Sequence, residues 1–407
     1  MDSHGMGKHG MDKHGMDGHG MESHGMESHA YNSYLEVDLG ELGSNIQKIR
    51  KGIGAGVDII AVLKGNAYGM GLVPIARHLD RACGIRAFAC AQTGEAVRLR
   101  EEAGISRDIL VMGGVPFHNI SAVVRYDIQS PAYDKEYLTR LDREAGLQGK
   151  KARVHIKIET GLNRIGVLPG EQTEDLCGFL KSMGNISVSG AYTHFTESEI
   201  PDKSRTYAQL ELFKTALGQI RSHGFSPEYI HASNTAASTW LRDPALTHVR
   251  PAGLLFGFDV NEEPKNLFSL KEVLTWRAFV TNVKTIQAGD TVGYNRHFVA
   301  GRPTRIATIS AGYGDGYTRT LAMSGTAEAL VRGRRAKIIG ICMDQTHLDV
   351  TGIDAAVNDE VTLIGRDGDE SISVFELQKK MGQTYLATIA VLSQRVARFY
   401  KNQEGRR

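Results

Sequence analysis

The sequence predicts an α/β protein: an eight-stranded parallel (β/α)8 barrel of the TIM type, followed by a mostly β C-terminal domain. From about residue 35 to 260, short β-branched runs alternate with amphipathic stretches eight times over. Strand–helix alternation at that count implies a parallel barrel. No G-x-G-x-x-G follows the first run, as an open doubly wound nucleotide-binding sheet would have. After about residue 263 the rhythm changes, and strands follow one another across turns with few helical patterns between them.

Ahead of the barrel, residues 1–30 are six pentapeptides of the form Met-x-x-His-Gly, the last ending in Ala30. A five-residue period fits neither helix nor strand, and each unit carries a flexible glycine or alanine. The segment is therefore expected to be disordered and to stand outside the fold. Its imidazoles (His4, His9, His14, His19, His24 and His29) and thioethers suit copper, nickel or zinc, so a transition-metal tail is one reading. A purification tag or an idle low-complexity extension is the other, and composition does not separate the two.

The strand candidates of the barrel are "VDIIAVLKG", "AFACA", "DILVMGG", "IQSPAY", "ARVHIKIETG", "ISVSGAYTHF", "EYIHASN" and "THVRPAG". Between them lie helical patterns such as "VPIARHLDRAC", "TGEAVRLREEAG", "DKEYLTRLDREAG" and "KSRTYAQLELFKTALGQIRSHG". Several of these end at glycine, as helices commonly do. The later candidates are "EVLTWRAFVTNVKTI", "TRIATISAG", "EALVRGRRAKIIGICM" and "DEVTLIG", set apart by turns such as "AGDTVG" and "GRDG". The expected division is a tail at 1–30, a barrel at 31–262 and a β domain at 263–407.

With 407 residues, 41% hydrophobic and 23% charged, the chain can bury a large core. A formal net charge of +2 without a long basic run calls for neither nucleic acid nor a polybasic membrane contact. Cys83, Cys90, Cys177 and Cys342 are scattered with no C-x-x-C pair. They read as reduced thiols of a cytoplasmic protein, not as a disulfide framework or a zinc site. No apolar stretch approaches the ~20 residues that span a bilayer, and the N-terminus lacks the layout of a signal peptide.

Functional groups of such a barrel sit where its strands end. Lys64 closes the first candidate. Burial and nearby cations would lower its pKa and let it attack a carbonyl. By position alone, a lysine snorkelling out of the rim is the plainer account. Arg164 follows the fifth strand and His194 ends the sixth. His231, Asn234 and Thr235 close the seventh, and Arg250 lies on the eighth. Each has a bland explanation singly: a histidine satisfied by backbone, a helix cap, a surface ion pair. Five strand ends supplying complementary groups together point to a site.

At these residues the chain resembles the alanine racemase family. "AVLKGNAYGMG" is similar to that family's cofactor-lysine motif. "KIETGLNRIG", "YTHF", "HASNTAA", "VRPAGLLFG", "VGYNRHF", "SAGYGDGY" and "ICMDQ" follow in family order between about residues 34 and 400. The resemblance implies a pyridoxal 5'-phosphate enzyme that racemises a small amino acid, alanine first, with two bases. It implies that Lys64 holds the cofactor as a Schiff base and serves as one base, and that Tyr68 contacts the phosphate. Proton return on the opposite face needs a second base, and the matching residue is Tyr294. A free tyrosine is a poor base at neutral pH, and the matching His194 would hydrogen-bond it.

Arg250 would face the cofactor's ring nitrogen. Being unable to give up its proton, it would leave that nitrogen unprotonated. Thr235 would bind phosphate at a helix start, with Asn234, Gly253 and Tyr385 in the same cofactor site. Arg164 would hold the substrate carboxylate or the cofactor's phenolic oxygen. Tyr313 and Met343 would line the substrate route and the side-chain pocket, and Lys157 matches a lysine that is carbamylated in some members. In that family the β-domain residues meet the barrel site of the partner subunit, which implies a head-to-tail homodimer with shared sites.

Three departures stand out. Met70 replaces the motif's usual histidine, "RPAG" shifts the glycine to Gly253, and Leu386 occupies the register in which the family places the tyrosine represented here by Tyr385. Members acting on serine, or on larger or basic amino acids, differ in this pocket, so a serine or broad-specificity racemase is the alternative. A related decarboxylase lacks the "GYGDGY" and arginine–nitrogen pattern, and known non-catalytic carriers with this barrel lack the second domain. A metal-storage protein working through its tail would lose its function when residues 1–30 are removed, whereas an enzyme would not.

Overall fold

The computed structural model describes residues 30–261, 266–382 and 384–402. The histidine repeats from His4 to His29, and the expected boundary at 262/263, lie outside the described residues. The chain begins with β1 (Ser33–Asp38). The barrel strands follow: β2 (Asp58–Val62), β3 (Ala87–Cys90), β4 (Asp108–Val111), β5 (Ser130–Ala132), β6 (Ala152–Lys157), β7 (Ile186–Tyr192), β8 (Tyr229–His231) and β9 (His248–Val249). These fall inside the eight expected runs. All pairings among them are parallel, in the order β4-β3-β2-β9-β8-β7-β6-β5. Gln129 closes the ring between β4 and β5: its N–H donates to Ile109 O (2.8 Å) and its carbonyl accepts from Val111 N–H (2.9 Å).

Strands covered on both faces read as continuous apolar runs, and all four residues of β3 are buried. The helices supply the outer cover. Leu39–Ile53 begins at Asp38, whose carboxylate accepts the Glu41 N–H (3.0 Å), and it ends at Gly54 with φ 92°. Its Leu42, Ile46, Ile49 and Ile53 form a stripe at helical spacing turned to the core. Each such side chain contributes about 1.5–3 kcal/mol by leaving water.

The second sheet contains β10 (Leu274–Ile286), β13 (Thr304–Ile309), β14 (Glu328–Val331), β15 (Arg334–Ile341), β16 (Thr346–Asp349), β17 (Glu360–Asp367), β18 (Glu370–Ile372) and β19 (Ala397–Lys401). β11 (Thr291–Val292) and β12 (Phe298–Val299) form a separate hairpin around the turn Tyr294–Arg296. The long β10 pairs with both β13 and β17. Six strands (β10, β13, β16, β15, β14 and β17) therefore close on themselves.

One segment departs from the expected division. β1, within the 31–262 stretch assigned to the barrel, lies in this second sheet, antiparallel to β10 and parallel to β19. Its Tyr34, Leu35 and Val37 are buried there, with Leu35 opposite Trp276. Among the described residues, no helix is long and apolar enough to cross a membrane.

Candidate active site

β2 stops at Val62, and Lys64 opens a tight turn that runs left-handed. Gly65, Asn66, Ala67 and Tyr68 have φ of 64°, 56°, 54° and 54°. Each non-glycine residue in that region costs on the order of 1 kcal/mol, so something must hold the turn. Glu95 Oε1 accepts the Gly65 N–H (2.6 Å) and the Asn66 N–H (3.4 Å), while Asn66 Oδ1 accepts the Leu72 N–H (2.9 Å). Glu95 also caps its own helix start, taking the N–H groups of Ala91 and Gln92 (3.1 and 3.3 Å). The residue lies in plain view in "TGEAVRLREEAG", but no local pattern announces that it grips the lysine turn. Met70 sits in the core at 0% exposure, and its carbonyl accepts the Tyr400 hydroxyl (2.8 Å).

The barrel mouth is cationic. Burial, helped by the charge of Arg164, lowers the proton affinity of Lys64 against the opposing pull of Glu95. Lys157 is 1% exposed, with its ammonium on the Ile158 carbonyl (2.6 Å). Burial pushes it down to about 8; Arg250 and Arg164 add to that effect and Glu159 opposes it. Arg250 is also buried. Its guanidinium donates to the carbonyls of Thr193 (2.8 Å), His231 (2.8 Å) and Ala232 (3.0 Å), and to Nδ1 of His231 (2.8 Å) and His194 (3.2 Å). Burial lowers Arg250 to about 10, so it stays protonated at neutral pH. Burial and then the Arg250 charge hold His194 well below its ordinary pKa. Arg164 is exposed at this mouth, with its backbone N–H on Glu159 Oε2 (3.3 Å).

Beside the cations lies a set of buried hydroxyls. Tyr68 is 3% exposed, and its hydroxyl has no partner among the described residues. Tyr385, 7% exposed, packs against the rings of Phe258 (5.7 Å) and Phe375 (5.3 Å). A Cβ on Gly253 would lie 2.3 Å from the Tyr385 hydroxyl. The displaced glycine and the out-of-register tyrosine therefore meet in one contact. Thr235 Oγ1 accepts the Ala252 N–H (3.0 Å). Asn234 Oδ1 accepts the Ser198 hydroxyl (2.6 Å) and the Ala237 N–H (3.1 Å).

Three expected residues stand apart. Tyr294, Tyr313 and Met343 are 70%, 37% and 52% exposed on the β domain. Among the described residues, no hydrogen bond joins Tyr294 to His194 or Lys64. Tyr313 and Met343 lie on adjoining loops, tied by the Tyr313 N–H on Cys342 O (3.0 Å) and the Gly314 N–H on Met343 O (2.8 Å). Arg395 braces both loops through Asp315 (2.7 Å) and Asp344 (2.8 Å).

A lysine eased toward its neutral form, a guanidinium that keeps its charge, an orphaned tyrosine hydroxyl, and a glycine that leaves room for a second one suit one class of protein. It is a barrel enzyme that holds a phosphorylated aldehyde cofactor on a lysine. The chain belongs to the alanine racemase family. The model of the alanine racemase N-terminal domain matches residues 37–260, and that of the C-terminal domain matches residues 273–400. The chain is 37% identical to the alanine racemase of Halothermothrix orenii over 378 residues, which is 92% of this chain and 98% of that protein. The crystal structure of alanine racemase from Bacillus anthracis with bound L-Ala-P superposes with a TM-score of 0.86 at 30% identity, covering 93% of this chain and 97% of that one. The alanine racemase from Bartonella henselae with covalently bound pyridoxal phosphate gives 0.81 at 25%, covering 91% and 100%.

Proposed function

We infer that this protein is an isomerase that interconverts L- and D-alanine with pyridoxal 5'-phosphate as its cofactor. The observation that carries the reading is Lys64, of lowered proton affinity, standing at the end of β2 in a chain related to alanine racemases over nearly its whole length. When bound, the cofactor supplies the electron sink that makes the amino acid's α-proton labile.

Lys64 would hold the cofactor's aldehyde carbon, and its amine is the group that would take or return the α-proton on one face. Tyr68, Tyr385 and Thr235 would hold the phosphate around Gly253, with Asn234 shaping the loop. Arg250 would face the cofactor's ring nitrogen and, being unable to give up its proton, would leave that nitrogen unprotonated, weakening the sink in favour of simple proton return. Arg164 holds the substrate carboxylate. Lys157, neutral in part at physiological pH, is the candidate for carbamylation, and a carbamate there would give Arg164 an anionic partner.

Tyr294 serves the opposite face. Its exposure, shared by Tyr313 and Met343, fits a second copy of the chain whose barrel mouth receives all three, in a cytoplasmic homodimer with shared sites. The mouth is prepared for it. Because Arg250 donates to Nδ1 of a neutral His194, the hydrogen of that imidazole lies on Nε2, where it can donate to the tyrosine oxygen and stabilise the phenolate.

The test follows α-proton exchange by NMR in heavy water, with pyridoxal phosphate and single L-amino acids (alanine, serine, lysine and arginine). Exchange led by alanine, with D-alanine appearing, is expected. Faster exchange on another amino acid would move the assignment to a serine or broad-specificity racemase. In the same assay, Tyr294→Phe should lose the α-proton exchange of L-alanine, and with it racemisation in both directions, while D-alanine still exchanges and the cofactor stays bound. Equal loss of cofactor would remove Tyr294 from the mechanism.

A further inference from the structure

Behind Arg250 the barrel interior holds a row of buried polar groups that racemisation as described does not use. Arg250 Nη1 donates to Nδ1 of His231 (2.8 Å), and Nε2 of that ring lies 2.9 Å from Nδ1 of His155 on β6. Nε2 of His155 meets Oε1 of Gln129, which also accepts the Ser189 hydroxyl (3.1 Å). His231, His155 and Gln129 are each no more than 1% exposed. The row has room because residue 190 is glycine: a Cβ there would lie 2.4 Å from the His155 ring. The His231 ring stacks on Tyr192 (5.0 Å, 7°).

One end dictates the direction of every hydrogen. Arginine can only donate, so His231 Nδ1 must present a lone pair. A neutral His231 then carries its hydrogen on Nε2 and donates to Nδ1 of His155. By the same step, His155 carries its hydrogen on Nε2 and donates to the Gln129 carbonyl oxygen. A flipped Gln129 amide would set donor against donor. The far acceptor is a neutral amide. Beyond it, Asp108 draws on His155, but that carboxylate is occupied by Arg153 (2.6 Å) and the Tyr229 hydroxyl, and burial outweighs its pull. Burial holds both imidazoles below their ordinary range, with His155 at about 3.

We propose that Gln129 and His155 are positioning residues for Arg250: through His231 they keep a lone pair on its guanidinium and so fix that charge at the cofactor's ring nitrogen. The proposal rests on the racemase reading of the mouth. Three carbonyls and Nδ1 of His194 also hold Arg250. A carbonyl can only accept, and in this row the His231 imidazole is the partner that can turn from acceptor to donor, so the row acts on Arg250 there.

The test starts with ¹⁵N-labelled, cofactor-free protein and long-range proton–nitrogen correlation of the imidazoles. His155 and His231 should both be neutral with hydrogen on Nε2 from about pH 5 to 8. In Gln129→Glu the new carboxylate should draw a second proton onto His155, force the His231 hydrogen onto Nδ1 and set two donors face to face at Arg250. The loaded variant should then lose about tenfold or more in kcat with KM for alanine within about twofold, and the pH dependence of its cofactor absorbance should shift. Gln129→Met, which adds no charge, should shift kcat in the same direction by less.

A wild-type His231 with hydrogen on Nδ1, or with both nitrogens protonated, overturns the row. A recharged His155 with unchanged kcat and absorbance, or an unchanged kcat in Gln129→Met, overturns the positioning role. Failure of the racemase reading is distinguishable: the wild type would then not racemise alanine, while the cofactor-free tautomers would stand as measured.

Discussion

Replacing Gly253 by alanine tests the proposed cofactor cradle. The new Cβ would lie 2.3 Å from the Tyr385 hydroxyl and 2.8–2.9 Å from two of its ring carbons. Ordinary contact needs about 3.5 Å, so the hydroxyl must retreat by about 1 Å. Phe258 and Phe375 stand against the ring, and at 7% exposure it has little free space. Gly253 is not in the left-handed region of backbone space, so the effect comes from contact alone.

A retreating hydroxyl would lose the hydrogen bond proposed for it to the cofactor's phosphate, worth about 1.5–3 kcal/mol for a charged acceptor. That weakens cofactor binding about 10- to 150-fold. The assay titrates apoprotein with pyridoxal phosphate and follows absorbance in Gly253→Ala, Tyr385→Phe and the double variant. Because both single changes remove the same bond, the double variant should bind scarcely more weakly than either. Losses that add, or a Gly253→Ala affinity within about twofold of the wild type, would refute the contact as the cause.

Two further outcomes are expected. Lys64→Ala should abolish the absorbance of covalently held cofactor, and an intact covalent band in that variant would put the attachment elsewhere. Lys157 supplies a pH signature. Its folded pKa is about 8 against an ordinary 10.5, so between those values the unfolded chain holds a proton that the folded chain has released. Stability should rise with pH across that window by up to about 3 kcal/mol relative to Lys157→Met, measured by denaturant unfolding in carbonate-free buffer. A flat difference would place Lys157 in a wetter site than its 1% exposure indicates.

The barrel was legible because its strands are covered on both faces, and a run such as "AFACA" declares that locally. Lys64, Arg164, His194 and Arg250 followed from the rule that such barrels act at their strand ends. β1 was not legible as part of the second sheet, since its partners β10 and β19 lie more than two hundred residues downstream. Nor was the left-handed run of Asn66, Ala67 and Tyr68, which no local propensity favours and which Glu95 holds from 29 residues away.

Tyr385 looked displaced by one position along the chain, yet aromatic packing aims it at Gly253. His155 read as one more residue of a strand. The sequence by itself determined which stretches become strands and which strand ends carry charge, because periodicity and burial act over a few neighbouring residues. Only the tertiary structure decided that Arg250, His231, His155 and Gln129, separated in sequence by 19, 76 and 26 residues, form one hydrogen-bonded row. Closing the barrel turns their inward faces toward a common axis, and no spacing along the chain encodes which inward faces will meet.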